Sequence, residues 1–484
     1  MYLGLDLGTY GVKALLIDDN QRLIGSAHGE LDVSRPLAGW SEQDPAQWIS
    51  ATETAIDALR QAHPTEFAAT KGIGLSGQMH GATLLDDADQ VLRPCILWND
   101  TRSYREAAEL DADPAFRTIT GNIVFPGFTA PKLVWVARNE PENFTKTRKV
   151  LLPKDYLRLW LTGEHVSDMS DSAGTSWLDT GGRHWSSELL AKTGLTESHM
   201  PRLAEGSDAT GQLRAELAAR WGIDGRPVVA GGAGDNAASA CGMGTVKSGH
   251  AFVSLGTSGV LFAANGAYQP KPESAVHAFC HALPGSWHQM GVILSAASAL
   301  DWFARVVGAT PHVLDQELGE TVTAPGGVTF LPYLSGERTP YNDAKIRGSF
   351  SGLEHETDRR AMTQALLEGV AFALRDSLVA LQSAGTEIHS LIAVGGGSRS
   401  AYWLKSIATA LNTPVSLPEE GDFGAAFGAA RLGLIAASGA DPFAICTPPR
   451  TARTIEPEQA LLSAYDDAYQ RYHAMYPALN SLAV

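Results

Sequence analysis

Apolar and polar positions alternate from the start of the chain. YLGLDL (2–7), VKALLID (12–18) and RLIGSAHGELDV (22–33) read as three consecutive strands, with the polar DDNQ (18–21) as the turn between the second and third. The period then changes. Asp44-Pro45 places an N-cap aspartate before a proline at the first helical position, and Trp48, Ile49, Ala55, Ile56 and Leu59 mark the buried face of a helix. KGIGLSG (71–77) is a short strand ending in glycine, followed by QMHGATLLD. RPVVAGGAGDNAASACGMG (226–244) reads as strand, glycine turn and helix. A long amphipathic helix is expected over residues 358–384, with Asp358 as N-cap and Gly385 as C-cap. Beyond it come a strand at 391–394, the turn GGGSRS, and a helix AYWLKSIATAL that stops before Pro414. Strand-rich starts followed by strand–helix alternation make the class α/β.

One pattern occurs twice. LGT-x-G-V stands at 7–12 and again at 255–260, each time between two apolar strands and about half a chain apart. Two coincidental glycine hairpins would give the same string; a duplication explains the spacing. The boundary is then expected near 245–249, dividing the chain into residues 1–245 and 246–484.

The 484 residues suit two or three domains, and 44% hydrophobic with 19% charged residues is ordinary for a folded chain. A formal net charge of −16 with no basic block argues against non-specific nucleic-acid binding and against anionic membranes. It does not exclude an anionic substrate bound at helix N-termini or through a metal. Cys95, Cys241, Cys280 and Cys446 are scattered, which favours reduced thiols and a cytoplasmic setting. Asp6 interrupts the first apolar run, so a signal peptide is not expected, and no apolar stretch is long enough to span a bilayer.

Candidate chemistry collects where strands end. Asp6-Leu7-Gly8-Thr9 is a strand ending in a carboxylate and a tight turn. Such a turn can cradle a phosphoryl group while the carboxylate supports Mg²⁺, and an aspartate-capped hairpin would look the same. Lys13 returns on the next strand, and the P-loop pattern is absent. Asp235, after Gly231-Gly232-Ala233-Gly234, stands at a helix start where a carboxylate can take a proton from a substrate hydroxyl or simply cap the helix. The glycines ahead of it suggest that something approaches the backbone closely. Gly395-Gly396-Gly397 suits a phosphate or a nucleotide face. Met79 and His80, with Trp98 and Asn99, suit a polyol: hydroxyls to bond and one apolar face to cover. His277, Cys280 and His281 in HAFCH lack a second ligand pair, so packed strand residues are expected there in preference to a metal site.

Taken in order, DLGT, GGAGDN, SLGTSG and GGGSRS resemble the FGGY carbohydrate kinases, and GFTAPKLVWVARN (127–139) is similar to that family's first signature. The likeness runs from residue 3 to about 430. Within the family, SGQMHG, ILWNDTR, LLPKDYLR and FLPYLSGERTP are most similar to members acting on D-xylulose. The resemblance implies two duplicated ribonuclease-H-like (actin-like ATPase) domains with a cleft between them, sugar on the first and ATP on the second. It implies that Asp235 is the catalytic base, that Asp6 and Asp235 support Mg²⁺, and that Met79, His80, Asn236, Trp98 and Asn99 meet the sugar. Thr9, Gly256, Thr257, Gly396 and Gly397 would contact ATP. Ala297 and Ala401 depart from glycerol kinases, which carry glycine and asparagine there. The Asp6-to-Ser254 difference between the two turns gives one half the metal-supporting carboxylate and the other mainly hydroxyl and backbone donors. The expected reaction is transfer of the ATP γ-phosphoryl group to the C5 hydroxyl of D-xylulose; a kinase of ribulose, gluconate or glycerol, an actin- or Hsp70-like ATPase, and a sugar-sensing regulator remain alternatives. A homodimer is a family expectation.

Overall fold

The structure, a computed structural model, describes residues 1–419, 421 and 423–481. Two seven-stranded sheets organise it. In the first, Leu23–Glu30, Gly11–Ile17, Tyr2–Leu7, Gly72–Gly77, Val228–Ala230 and Ala209–Gln212 lie side by side in that order. In the second the order is Trp287–Ile293, Gly259–Asn265, His250–Leu255, Ser390–Val394, Val415–Pro418 and Thr451–Ile455, with His277–Cys280 added at the near edge. Strand directions match as well: an antiparallel hairpin leads, the fourth strand runs parallel to the third, and the outermost is antiparallel. This is the duplication read from the LGT echo. The hairpins differ by one residue. Leu7 pairs with Val12, so Asp6 faces Lys13, whereas Leu255 pairs with Gly259, so Ser254 faces Val260.

The helices follow their sequence signals. Asp44 accepts from the Ala46 N–H (3.0 Å) to cap Pro45–Ala62, whose Trp48, Ala55, Ile56 and Leu59 are buried; Ile49 sits at the edge of that face, half-buried. Asp358 accepts from the Ala361 N–H (2.8 Å) to start Arg359–Ser383, and Gly385 follows its end with φ +91°.

Residues 1–245 do not build the first unit alone. The helix Ala425–Ser438, from the second half, packs on the first sheet. Its backbone comes so close that a Cβ on Gly4 would stand 1.9 Å from the Ala426 carbonyl oxygen, and one on Gly74 1.7 Å from that of Ala429. The packing of the first sheet therefore reaches past residue 245 into the second half. The helix also crosses Asp235–Met243, where a Cβ on Gly428 would stand 1.8 Å from the Ala238 carbonyl oxygen. Arg431 donates to the carbonyls of Cys241 (2.7 Å) and Gly242 (3.0 Å) and so caps the C-terminus of that second helix. Two helices thus join the halves, backbone against backbone.

Candidate active site

The chain leaves the strand Val228–Ala230, turns through residues 231–234 and delivers Asp235 as the first residue of the helix Asp235–Met243. The glycines of this turn answer to the protein's own packing. A Cβ on Gly231 would lie 1.9 Å from the Glu205 carbonyl oxygen, and one on Gly234 would lie 2.9 Å from the Met79 sulfur. The turn is also clamped from behind. Buried Arg158 donates to the carbonyls of Ala230 (2.6 Å) and Gly231 (2.5 Å), while the Gly234 N–H donates to Ser170 Oγ (3.1 Å). Ser170 Oγ donates to Asp168, and Asp168 pairs at 2.7 Å with Lys154. Lys154 also pairs with Asp155 and Asp171, all four side chains being wholly enclosed. Burial drives the Asp155 and Asp171 carboxyls upward, and Asp171 goes well above the usual range.

Asp235 opens into a cavity of about 240 Å³ between the two halves. Met79, His80, Trp98 and Asn236 join it from the first half; Ser258, His277 and Arg338 come from the second. Burial, and then the nearby Asp6 carboxylate, push the Asp235 carboxyl up to about 6. Asn236 opposes this through its backbone N–H (2.7 Å) and side-chain amide (2.9 Å), both donated to Asp235 Oδ1. Asp6 is also raised by burial, against a 2.9 Å hydrogen bond from Ser76 Oγ. His80 is held at φ +70°, and its ring stacks on Phe128 at 4.5 Å. Burial lowers its pKa to about 3, so the ring is neutral. Its Nδ1 donates to the Gly174 carbonyl (2.7 Å), which leaves Nε2 as a lone-pair acceptor. Lys132 Nζ donates to the His80 carbonyl (2.8 Å) and fixes the turn.

Other expected residues divide. Trp98 lines the cavity, whereas Asn99, next along the turn, does not; its buried Oδ1 meets no donor among the described residues. The Thr9 hydroxyl is already engaged, accepting from Trp98 Nε1 (3.0 Å) and donating to Gln78 (3.4 Å), so it orients the tryptophan. At the second hairpin the Gly256 and Thr257 carbonyls accept from the N–H groups of Ala297 (2.9 Å) and Ala296 (3.0 Å). That gives Ala297 a structural task. Ala401 opens a helix whose cap is Ser400. Gly256 and Gly396 border open space, where a Cβ would meet nothing closer than 3.7 Å. Gly397 does not: a Cβ there would stand 2.8 Å from Leu255. A second cavity, about 260 Å³, adjoins Asn236 on its other side and includes Ser239, Ser254 and Val394. In HAFCH, His277 faces the first cavity and His281 bonds to the Thr245 carbonyl (3.1 Å). Among the described residues no three His, Cys, Asp or Glu side chains gather as a metal would need.

Arg338 is the charged residue that the second half adds to the cavity, and no motif in the sequence singled it out. It lies in FLPYLSGERTP, a stretch with no helical or strand period to point to it. The available signal was an arginine flanked by Gly336 and Pro340 after an apolar run.

Two family descriptions match the chain: the N-terminal domain of the FGGY family of carbohydrate kinases over residues 1–242, and the C-terminal domain of the same family over 251–437. A xylulose kinase of Escherichia coli (strain K12) is 48% identical over 99% of this chain and 96% of its own. Among solved structures, a xyloylose kinase from Brucella ovis superposes with a TM-score of 0.99 at 82% identity, covering 99% of both chains. Xylulose kinase from Rhodospirillum rubrum superposes with a TM-score of 0.93 at 30% identity, again over 99% of both.

Proposed function

The chain belongs to the FGGY family of carbohydrate kinases, and from that premise we propose that it transfers the γ-phosphoryl group of ATP to the terminal, C5 hydroxyl of D-xylulose. The observation that carries the reading is Asp235. It is a carboxylate raised to about 6, at a helix start, in a cavity of a small sugar's size that both halves line. A base with a pKa near 6 is deprotonated at neutral pH and still takes a proton readily. Asp235 accepts the hydroxyl proton as the oxygen attacks phosphorus, while Asn236 keeps the carboxylate aimed. His80 Nε2 accepts from a second sugar hydroxyl, and Trp98, 47% exposed, covers an apolar face. ATP phosphates fit against the open backbone at Gly256 and Gly396, from the second half. The Asp6 carboxylate bears on Asp235 and both carboxyl groups are raised, a surplus of negative charge that suits a divalent cation. Mg²⁺ held by these two residues and by phosphate oxygens would neutralise charge on the transferring group. Positioning and water exclusion between the halves supply the rest.

A coupled ADP-release assay over ketopentoses, hexuloses, gluconate and glycerol tests the reading. D-xylulose should give the highest kcat/KM, and ADP release without sugar should be slower by at least about 10²-fold. Sugar-independent hydrolysis at the same rate would replace the kinase reading with an ATPase.

A further inference from the structure

Arg338 occupies a loop between the strands Thr329–Leu331 and Ser349–Ser351, and its neighbours hold it in place. Gly336 turns with φ +81°. Glu337 is buried, and its Oε1 accepts from the N–H groups of Leu294 (3.0 Å) and Arg338 (2.8 Å). Thr339 Oγ1 accepts from the Val292 N–H (3.0 Å) and donates to the Ala275 carbonyl (3.0 Å). The residues on either side are thus tied to the end of the strand Trp287–Ile293, and Arg338 between them projects into the cavity. Its guanidinium lies over the Phe125 ring, 4.6 Å from the centroid. Phe125 packs edge-on against Phe128, the ring that stacks on His80. Among the described residues the guanidinium has no hydrogen-bond acceptor and no carboxylate at ion-pair distance.

An arginine stays charged and offers five N–H donors in a fixed fork. Half-buried at the cavity wall with no acceptor among the described residues, such a group has its donors free for an oxygen that a ligand brings. The rings around the guanidinium say which oxygen. Arg338 lies on Phe125, which packs against His277 at 5.3 Å and against Phe128, the ring under His80, so it stands on the side of the cavity that these two histidines form. Its charge bears on both histidines, whereas the charge that bears on Asp235 is Asp6. With the C5 hydroxyl at Asp235, an open-chain ketose extends its C2 carbonyl toward the side that holds Arg338. A ketone oxygen accepts and cannot donate, which matches a donor-only side chain. His80 and Asp235 are acceptors and suit hydroxyl groups.

We propose that Arg338 binds the C2 ketone oxygen of the sugar and sets the preference for a ketose over the pentitol that lacks it. This rests on the reading of the protein as a ketopentose kinase. The test compares wild type, Arg338→Met and Arg338→Lys in ADP release with D-xylulose, with xylitol as competing ligand. For Arg338→Met, the KM for D-xylulose should rise about 30-fold or more, while the inhibition constant of xylitol and the KM for ATP change less than about 3-fold. Arg338→Lys, which keeps a charged donor, should recover part of the loss. Thermal unfolding of each variant separates a fold defect from a recognition defect, and the lysine variant carries the comparison if the methionine variant does not fold. Equal losses for ketose and pentitol, or no loss for D-xylulose, would overturn the proposal and leave the kinase reading standing. A wild type inactive on D-xylulose would overturn that reading, and this proposal with it.

Discussion

Asp235 is placed where ionisation is costly, and that cost has two measurable sides. Its carboxyl rises from 3.8 to about 6 because burial and Asp6 both disfavour the charge. Below pH 3.8 folded and unfolded chains both carry the proton. As pH rises through about 6 the folded state is left with a charge it disfavours, and stability falls over that interval. Asp235→Asn should therefore be more stable than wild type by about 1–2 kcal/mol at pH 8 and equal to it at pH 3.5; the full shift corresponds to about 3, reduced for solvent screening. The same variant should lose about 10³-fold in kcat with sugar affinity kept within about 5-fold. Denaturant titration at the two pH values and a sugar-binding isotherm check both. Asp235 was legible because strand, glycine turn and helix start form a local pattern that marks a residue by its position. Arg338 was not, since its aim is set by contacts that its neighbours Glu337 and Thr339 make with Leu294, Val292 and Ala275, and the local string shows only an arginine between Gly336 and Pro340. Thr9 shows the converse: a phosphate-turn signature whose hydroxyl is engaged by Trp98 and Gln78.

At the scale of elements, the turn that carries Asp235 is held by a chain of polar contacts running from Lys154 through Asp168 and Ser170 to the Gly234 N–H. LLPKDYLR was visible as a string, but not as a clamp. Periodicity finds apolar faces, and a lysine sharing three enclosed carboxylates violates the pattern that periodicity assumes. Ser170→Ala removes the acceptor for Gly234 and should cost about 1–2 kcal/mol of stability. If the clamp positions Asp235, kcat should drop about 10-fold while the KM values for sugar and ATP hold. A matched loss in all three would show a general fold defect instead. The glycine run was legible as a close approach but not as to its partner, because Glu205, Leu75 and Met79 come from distant parts of the chain.

At the scale of the molecule, duplication was readable from LGT-x-G-V because both copies keep one hairpin between apolar strands. The one-residue difference in pairing was not, since the two strings have equal spacing. Nor was the return of the helix Ala425–Ser438 to the first sheet, which depends on small residues that look alike in any context. Gly428→Ala should force this helix from the helix that carries Asp235, for its Cβ would meet the Ala238 carbonyl oxygen at 1.8 Å. A loss of about 2–3 kcal/mol in urea unfolding is expected, with kcat falling alongside. The same helix has a bearing on how the protein is made. The face of the first sheet that carries Gly4, Gly72 and Gly74 is shaped for this one helix, yet those strands leave the ribosome long before residue 425 is translated. Until then the amino-terminal sheet waits unfinished, its bare backbone open to any other chain. The amino-terminal sheet can complete its fold only once residues 425–438 have been made.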